Sequence, residues 1–123
     1  MKPVRVLLVE DNETFRQTLE LLFGLRDEIE VVASVATGDA APLLVKELRP
    51  DVVLMDYRMP GLNGAEATRA VLDADPTTRV VCLSASVTAQ EVAEVEAAGA
   101  VACITKDENF DHLIDVVCEA ART

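Results

Sequence analysis

The chain has 123 residues and a net charge of −11, with 50% hydrophobic and 3% aromatic residues. This length suits one domain with an aliphatic core, and the apolar content excludes a disordered chain. The negative charge argues against non-specific binding to nucleic acid, and no apolar run approaches the roughly 20 residues that a membrane helix needs.

The first half of the chain begins with a strand, a helix and a second strand. Residues 4–10 form a continuous apolar run typical of a buried strand, and Asn12 can cap the helix that follows. Gly24 is predicted to stop that helix, and residues 30–36 are predicted to form the second strand. The inner face of the helix is predicted to carry Phe15, Leu19, Leu22 and Phe23.

The second helix follows a predicted turn at residues 37–39. With Asp39 as its cap, Pro42 falls in the first turn, where no intrahelical N–H is lost. The dipeptide Arg49-Pro50 is predicted to end the helix. Its inner stripe is predicted to consist of Leu43, Leu44 and Leu48.

Three more strand and helix pairs complete the chain. The predicted strands are 51–56, 79–83 and 101–105, and the predicted helices are 63–75, 88–98 and 107–121. Strands that are apolar throughout are buried on both faces, and their alternation with helices implies a parallel sheet with right-handed crossovers. The sequence therefore predicts a single doubly wound α/β domain over residues 1–123.

Polar residues close four of the five predicted strands. They are Glu10 and Asp11 after the first strand, Asp56 after the third, Ser84 after the fourth and Lys106 after the fifth. The carboxyl ends of parallel strands share one edge of the sheet, where ligands bind in open α/β folds, so these side chains are predicted to converge.

Three converging carboxylates repel one another, by ~3 kcal/mol for a pair ~5 Å apart at an effective dielectric near 20. A divalent cation removes that cost, and an all-oxygen set with a few carboxylates favours Mg²⁺. Lys106 adds a charge suited to a phosphate or to Asp56, and Ser84 adds a hydroxyl donor. This set suits phosphoryl transfer with Asp56 as the nucleophile. Taken alone, Glu10 and Asp11 could also cap the first helix.

The chain resembles the receiver domain of two-component response regulators along essentially its whole length. The resemblance rests on the order and spacing of Leu7-Leu8-Val9-Glu10-Asp11-Asn12, Pro50 to Asp56, Met59-Pro60-Gly61, Gly64, Leu83-Ser84-Ala85, Gly99-Ala100 and Lys106. It implies a flavodoxin-like (βα)5 fold with strand order 2-1-3-4-5, and a signalling switch rather than an enzyme.

The resemblance also implies roles for the site residues. Asp56 would accept a phosphoryl group from a sensor histidine kinase, and Ser84 and Lys106 would bind the phosphoryl oxygens. Mg²⁺ would be held by Glu10, Asp11, Asp56 and the backbone carbonyl of Arg58. Phosphorylation would then shift an equilibrium of the face formed by the fourth helix, fifth strand and fifth helix.

Two positions depart from the family pattern, and two others occupy rate-tuning positions of the family. Cys103 stands where the family usually has Tyr or Phe, so the aromatic switch of the family is not carried over. Many members have a cis proline after the lysine, whereas this chain has Asp107, and a cis bond there would cost about 3 kcal/mol. Arg58 and Ser86 occupy the positions that tune phosphoryl-transfer and hydrolysis rates in the family.

The sequence also bears on location and partners. Cys82, Cys103 and Cys118 lie in apolar stretches without metal-site spacing, which predicts reduced thiols in a cytoplasmic protein; no signal peptide is recognised. Several segments look most like receivers joined to LuxR-type helix-turn-helix domains. We therefore expect an output domain or partner protein, no direct binding of nucleic acid or membrane by this domain, and phosphorylation-dependent homodimerisation as one way of signalling.

Charge restricts the face that such a dimer would use. Between residues 84 and 121 the only cation is Lys106, against eight acidic residues: Glu91, Glu94, Glu96, Asp107, Glu108, Asp111, Asp115 and Glu119. Some receivers dimerise by ion pairs between subunits, on the surface formed by the last two helices and the fifth strand. We expect any dimer of this chain to use another face, or this face to dock on a basic partner.

Two other functions fit a doubly wound domain with an acidic edge. A Mg²⁺-dependent phosphatase with an aspartyl nucleophile generally has a second Asp two residues later, where this chain has Arg58. A flavodoxin-like cofactor binder would need a phosphate cradle in the first loop, but that loop is acidic and lacks a Gly-rich or Ser/Thr-rich segment.

Overall fold

A five-stranded parallel sheet in the order β2-β1-β3-β4-β5 forms the centre of the molecule. The computed structural model describes residues 2–85 and 88–123. The strands are β1 (Val4–Val9), β2 (Ile29–Val35), β3 (Val52–Asp56), β4 (Arg79–Ser84) and β5 (Ala102–Thr105). The predicted doubly wound fold and strand order are confirmed.

Five α-helices connect the strands and cover both faces of the sheet. They are α1 (Glu13–Gly24), α2 (Ala41–Leu48), α3 (Gly64–Ala74), α4 (Ala89–Ala98) and α5 (Phe110–Ala121), with a short 3-10 turn at Gly38–Ala40. Asn12, Asn63, Thr88 and Asn109 cap α1, α3, α4 and α5 through side-chain oxygens that accept backbone N–H groups. No helix in the described part of the chain is long and apolar enough to cross a membrane.

The core lies in two layers, one on each face of the sheet. One layer joins side chains of α1 and α5 to the sheet, including Leu19, Phe23 and Ile114. The other joins side chains of α2, α3 and α4, including Val45 and Val95. β3 is buried along its whole length, as a central strand covered on both faces must be.

The second helix differs from its prediction in two respects. Asp39 lies inside the 3-10 turn, and the N-cap of α2 is Ala40, which makes no side-chain capping bond. Leu43 is 62% exposed, so its placement on the inner stripe was wrong; Ala41 and Val45 are the buried residues of α2. The helix begins one residue later than predicted, and packing against the sheet selects Ala41 and Val45 as its inner face.

Candidate functional site

Register places the polar strand endings at one edge of the sheet. Val9 pairs with Met55, so Glu10 and Asp11, which follow β1, lie beside Asp56 at the end of β3. Carboxylate oxygens of Glu10, Asp11 and Asp56 all lie within 4.8 Å of one another. The structure thus brings together the three acidic residues that the sequence predicts to converge.

Lys106 follows β5 and reaches across this edge. Its Nζ lies 2.7 Å from Glu10 Oε1 and 3.6 Å from Asp56 Oδ2. This short contact lacks hydrogen-bond geometry, and Glu10 Oε1 accepts no hydrogen bond from the described residues. An ammonium group rotates freely and attracts a carboxylate at this distance in any orientation, so we regard the contact as a strong ion pair.

Glu10 is the more deeply held of the two acidic residues that follow β1. Its side chain is 1% exposed, and its second oxygen accepts the backbone N–H of Asn12 at 3.0 Å. Its own carbonyl accepts a hydrogen bond from Arg16 Nη1 at 2.8 Å. Asp11, in contrast, is exposed. Glu10 is therefore fixed by the protein, while Asp11 faces solvent.

Asp56 is the carboxyl group whose ionisation the folded protein disfavours most clearly. Burial, the neighbouring Glu10 carboxylate and a hydrogen bond with Asp11 raise the pKa of Asp56 to about 8, against a partial opposing effect of Lys106. The side chain is 4% exposed. Ionisation of Asp56 in this pocket therefore costs free energy, and a bound cation would reduce that cost.

The remaining predicted residues take different places. Ser84 ends β4 and is fully buried, and Lys106 N donates to its carbonyl at 2.7 Å. The Arg58 side chain is 59% exposed and points to α4, where it pairs with Glu91 at 3.0 Å. Ser86 lies outside the described residues. The bond between Lys106 and Asp107 is trans, like the other described peptide bonds.

Cys103 lies in β5 directly opposite Cys82 of β4. Contact with the Cys103 thiol, followed by burial, raises the pKa of Cys82, while the same contact lowers the pKa of Cys103. All three cysteines are free thiols. Cys103 thus packs with a neighbouring thiol on the side of the sheet that α4 covers.

Sequence reasoning missed the contact between the loop after β3 and α4. Tyr57 Oη donates to Glu94 Oε2 at 2.7 Å, across 37 positions of sequence. Gly64 lies so close that a Cβ there would stand 2.7 Å from the Cα of Tyr57. A tyrosine directly after the candidate acceptor was the available signal, but its partner follows only from the packing of α4.

The donor set fits Mg²⁺. Three carboxylates with oxygens within 4.8 Å form an all-oxygen group of the kind this cation prefers. Two of them are buried, and Lys106 is the only cation among the described residues that forms an ion pair with them. The four side chains together have a formal charge of −2 when all are ionised.

A doubly wound sheet with a cluster of carboxylates at its carboxyl edge defines an α/β protein with an acidic site whose oxygens fit a divalent cation. The sequence matches the response regulator receiver domain over residues 6–118. The chain therefore belongs to the receiver domain family of two-component response regulators.

Relatives and solved structures agree with this assignment. The chain is 33% identical to the transcriptional regulatory protein LnrK of Bacillus subtilis (strain 168) over 93% of its length and 52% of that protein. It is 34% identical to the probable transcriptional regulatory protein NarL of Mycobacterium tuberculosis (strain CDC 1551 / Oshkosh), over 97% of its length and 55% of that protein. The chain thus spans about half the length of the curated relatives it matches.

The signal receiver domain of the putative response regulator NarL from Mycobacterium tuberculosis has a TM-score of 0.93 with this chain. That structure is 33% identical and is covered over 98% of its length, while 99% of this chain is matched. A LuxR-family two-component response regulator from Aurantimonas sp. SI85-9A1 has a TM-score of 0.92 at 28% identity, covering 98% of this chain and 86% of that one.

Proposed function

We propose that this chain is a phosphoacceptor: Asp56 takes a phosphoryl group from a sensor histidine kinase in a reaction that depends on Mg²⁺. The observation that supports it best is the buried Asp56 carboxylate, which lies with Glu10 and Asp11 in one group of oxygens and 3.6 Å from the Lys106 ammonium. Membership of the receiver domain family points the same way.

In the proposed reaction an Asp56 oxygen attacks the phosphorus of a phosphohistidine. The new P–O bond replaces the P–N bond, and the histidine nitrogen leaves with the bonding electron pair. Glu10, Asp11, Asp56 and the Arg58 carbonyl would hold Mg²⁺, which supplies positive charge to the transferring oxygens when bound. Lys106 and Ser84 would bind the phosphoryl oxygens of the acyl phosphate.

Lys106 is suited to that role because its present partner is replaceable. In the unphosphorylated protein its ammonium lies nearer to Glu10 than to Asp56. A phosphoryl group on Asp56 adds negative charge and acceptor oxygens close to the same ammonium. We expect Lys106 to turn from Glu10 toward the phosphoryl group.

The output of this switch would pass through α4, β5 and α5, to an output domain that controls transcription or to a partner protein. The chain would work in the cytoplasm as a signalling domain, with self-phosphorylation and autodephosphorylation at Asp56 as its own chemistry. We propose no direct contact of this domain with nucleic acid or membrane. Any phosphorylation-dependent homodimer would avoid the acidic face or leave it for a basic partner.

A direct test is incubation with Mg²⁺ and acetyl phosphate or phosphoramidate, followed by intact-mass measurement. The wild-type chain should gain the mass of one base-labile phosphoryl group, and Asp56→Asn should gain none. Asp73→Asn is the matched control, because Asp73 is an exposed aspartate on α3. Turnover of a phosphomonoester would instead favour a phosphatase, and a yellow protein a flavin binder.

A further inference from the structure

α4 is attached to the rest of the molecule by little apolar burial. Of its ten residues only Val95 is buried, whereas α3 buries five residues and α5 four. Apolar burial stabilises packing in proportion to the area removed from water, so one buried aliphatic side chain holds a helix weakly. Polar contacts therefore carry an unusual share of the positioning of α4.

The strongest of these contacts comes from Tyr57. Its hydroxyl donates to Glu94 Oε2 at 2.7 Å, and its side chain is buried. Gln90 Nε2 contacts the other oxygen of Glu94 at 3.4 Å, one turn earlier on the helix. The hydrogen bond to Glu94 and burial raise the pKa of Tyr57 to about 12, so the phenol keeps its proton and remains a donor.

A second contact runs parallel to the first and is weaker. Arg58 pairs with Glu91 at 3.0 Å, but the arginine side chain is 59% exposed, and exposed pairs contribute little. Glu91 also accepts the backbone N–H of Thr88, its partner in the capping box of α4. The Tyr57 hydroxyl is therefore the main polar link between this loop and α4.

The main chain of Tyr57 is itself fixed to the sheet and to α3. Its N–H donates to Leu83 O at 3.2 Å, and its carbonyl accepts the Gly64 N–H at 2.7 Å. Tyr57 directly follows Asp56. Ser84, the proposed phosphoryl ligand, is followed after only three residues by Thr88, the cap of α4. A phosphoryl group that draws in Ser84 would thus move the start of α4 relative to a fixed Tyr57.

We propose that the Tyr57 hydroxyl, through its hydrogen bond to Glu94, holds α4 in the position that it takes when Asp56 is unphosphorylated. This bond therefore makes phosphorylation less favourable. This inference rests on the proposed function. Tyr57 and Glu94 are positioning residues, because neither supplies a group to the reacting atoms. The bond is present in one of two states of the domain, so removing it shifts the equilibrium to the other.

The test uses beryllium trifluoride with Mg²⁺, which mimics a phosphoryl group on a carboxylate, and measures its affinity by calorimetry. Tyr57→Phe and Glu94→Ala should each bind roughly 10-fold more tightly than the wild-type chain, as expected for the loss of one hydrogen bond to a charged group. The double variant should bind no more tightly than either single one. Glu96→Ala, which removes an exposed acid of α4, should bind like the wild type.

Unchanged or weaker affinity of the single variants, or additive effects in the double variant, would overturn the proposal. Amide hydrogen exchange of the ligand-free protein provides a second measurement. Exchange in α4 should rise roughly 10-fold in Tyr57→Phe while α3 stays protected, and equal exchange in both proteins would refute the positioning role. Lack of beryllium trifluoride binding by the wild-type chain would overturn the proposed function, and the regulatory role with it.

Tyr57 also reports on its own bond. The chain has one tyrosine and no tryptophan, so its ultraviolet emission comes from Tyr57. A carboxylate that accepts a hydrogen bond from the phenol quenches this emission. The emission of the wild-type chain should rise when beryllium trifluoride binds, and the emission of ligand-free Glu94→Ala should already be high. Equal emission from the ligand-free wild type and ligand-free Glu94→Ala contradicts the proposal.

Discussion

Asp56→Asn should make the metal-free protein more stable than the wild type. The substitution keeps the shape of the side chain and removes its charge from a pocket that already contains Glu10 and Asp11. The pKa of Asp56 is raised from 3.8 to about 8 in the folded protein, so the folded state disfavours the ionised carboxylate. An amide escapes this cost at every pH.

The magnitude follows from two routes. Two ionised carboxylates at the 4.8 Å upper limit repel by about 3.5 kcal/mol at an effective dielectric of ~20, and Asp56 has two neighbours within that limit. Attraction between Asp56 and the Lys106 ammonium at 3.6 Å offsets about 4.6 kcal/mol of this repulsion. The net electrostatic cost of ionising Asp56 is therefore about 2 kcal/mol before desolvation. From the pKa shift, the cost at pH ~7 is about 4 kcal/mol. We expect a stabilisation of about 2–4 kcal/mol.

The sign of the pH dependence follows from the same shift. Because the pKa of Asp56 is raised in the folded state, Asp56 does not lower the free energy of unfolding of the wild type below a pH of 3.8. Above that pH it lowers this free energy increasingly, up to a pH of about 8. The stability gained by Asp56→Asn should therefore grow by up to ~1.4 kcal/mol per pH unit in this window and then level off.

Urea unfolding in the presence of EDTA, at several pH values, measures this difference, with Asp73→Asn as a control that should follow the wild type. Mg²⁺ at ~100 times its dissociation constant should stabilise the wild type by about 2.7 kcal/mol and Asp56→Asn by less. A stability difference that is constant across this pH range, or a less stable variant, would refute the electrostatic reasoning.

Three further predictions concern single residues. Lys106→Met should tighten Mg²⁺ binding in calorimetry and lower the metal-free stability by about 1–3 kcal/mol, because Glu10 would be left buried without a cation; weaker Mg²⁺ binding would contradict this. Gly64→Ala should lower stability in thermal unfolding by about 1–3 kcal/mol, since its Cβ would meet backbone at 2.7 Å. Gly24→Ala, where a Cβ meets nothing within 4 Å, should cost no stability, and equal losses in both variants would count against the packing argument. Cys103 should be alkylated faster than a model thiol of equal exposure in a mass-spectrometric time course, because its pKa is lowered, and slower alkylation would show the opposite shift.

The fold was predictable because its signals are local and repeated. Apolar runs without alternation indicate buried parallel strands, and Asn12, Asn63 and Thr88 cap helices where polar side chains precede helical patterns. The second helix was harder, because its start has no side-chain cap and several leucines compete for the inner face. Only packing against α3 and the sheet decides that Leu43 is exposed.

The candidate site was predictable to the extent that topology alone defines it. Residues that follow parallel strands must meet at one edge, whatever separates them in sequence. The direction of long side chains does not follow from topology. Lys106 contacts Glu10 more closely than Asp56, and Arg58 turns to α4. These choices depend on distances between elements that no local pattern encodes.

Half of the eight acidic residues between positions 84 and 121 have partners within the described part of the chain. Glu91, Glu94, Asp111 and Glu119 each have a partner: Arg58, Tyr57, Arg26 and Arg122, respectively. Asp111 pairs with a residue that follows α1, so it does not belong to the side of α4. The negative surface open to a basic partner is therefore smaller than the eight charges in sequence imply.

The position of the aromatic residues bears on how a change at Asp56 could reach α4. Phe15, Phe23 and Phe110 pack on the side of the sheet that α1 and α5 cover. Tyr57 is the one aromatic residue in the other core layer, which also holds Cys103 and Val95 of α4. A thiol at Cys103 has no ring to move, so any aromatic contribution on this side must come from Tyr57. Tyr57 directly follows the proposed acceptor and contacts Glu94, so the loop after β3 gives Asp56 a direct physical connection to α4.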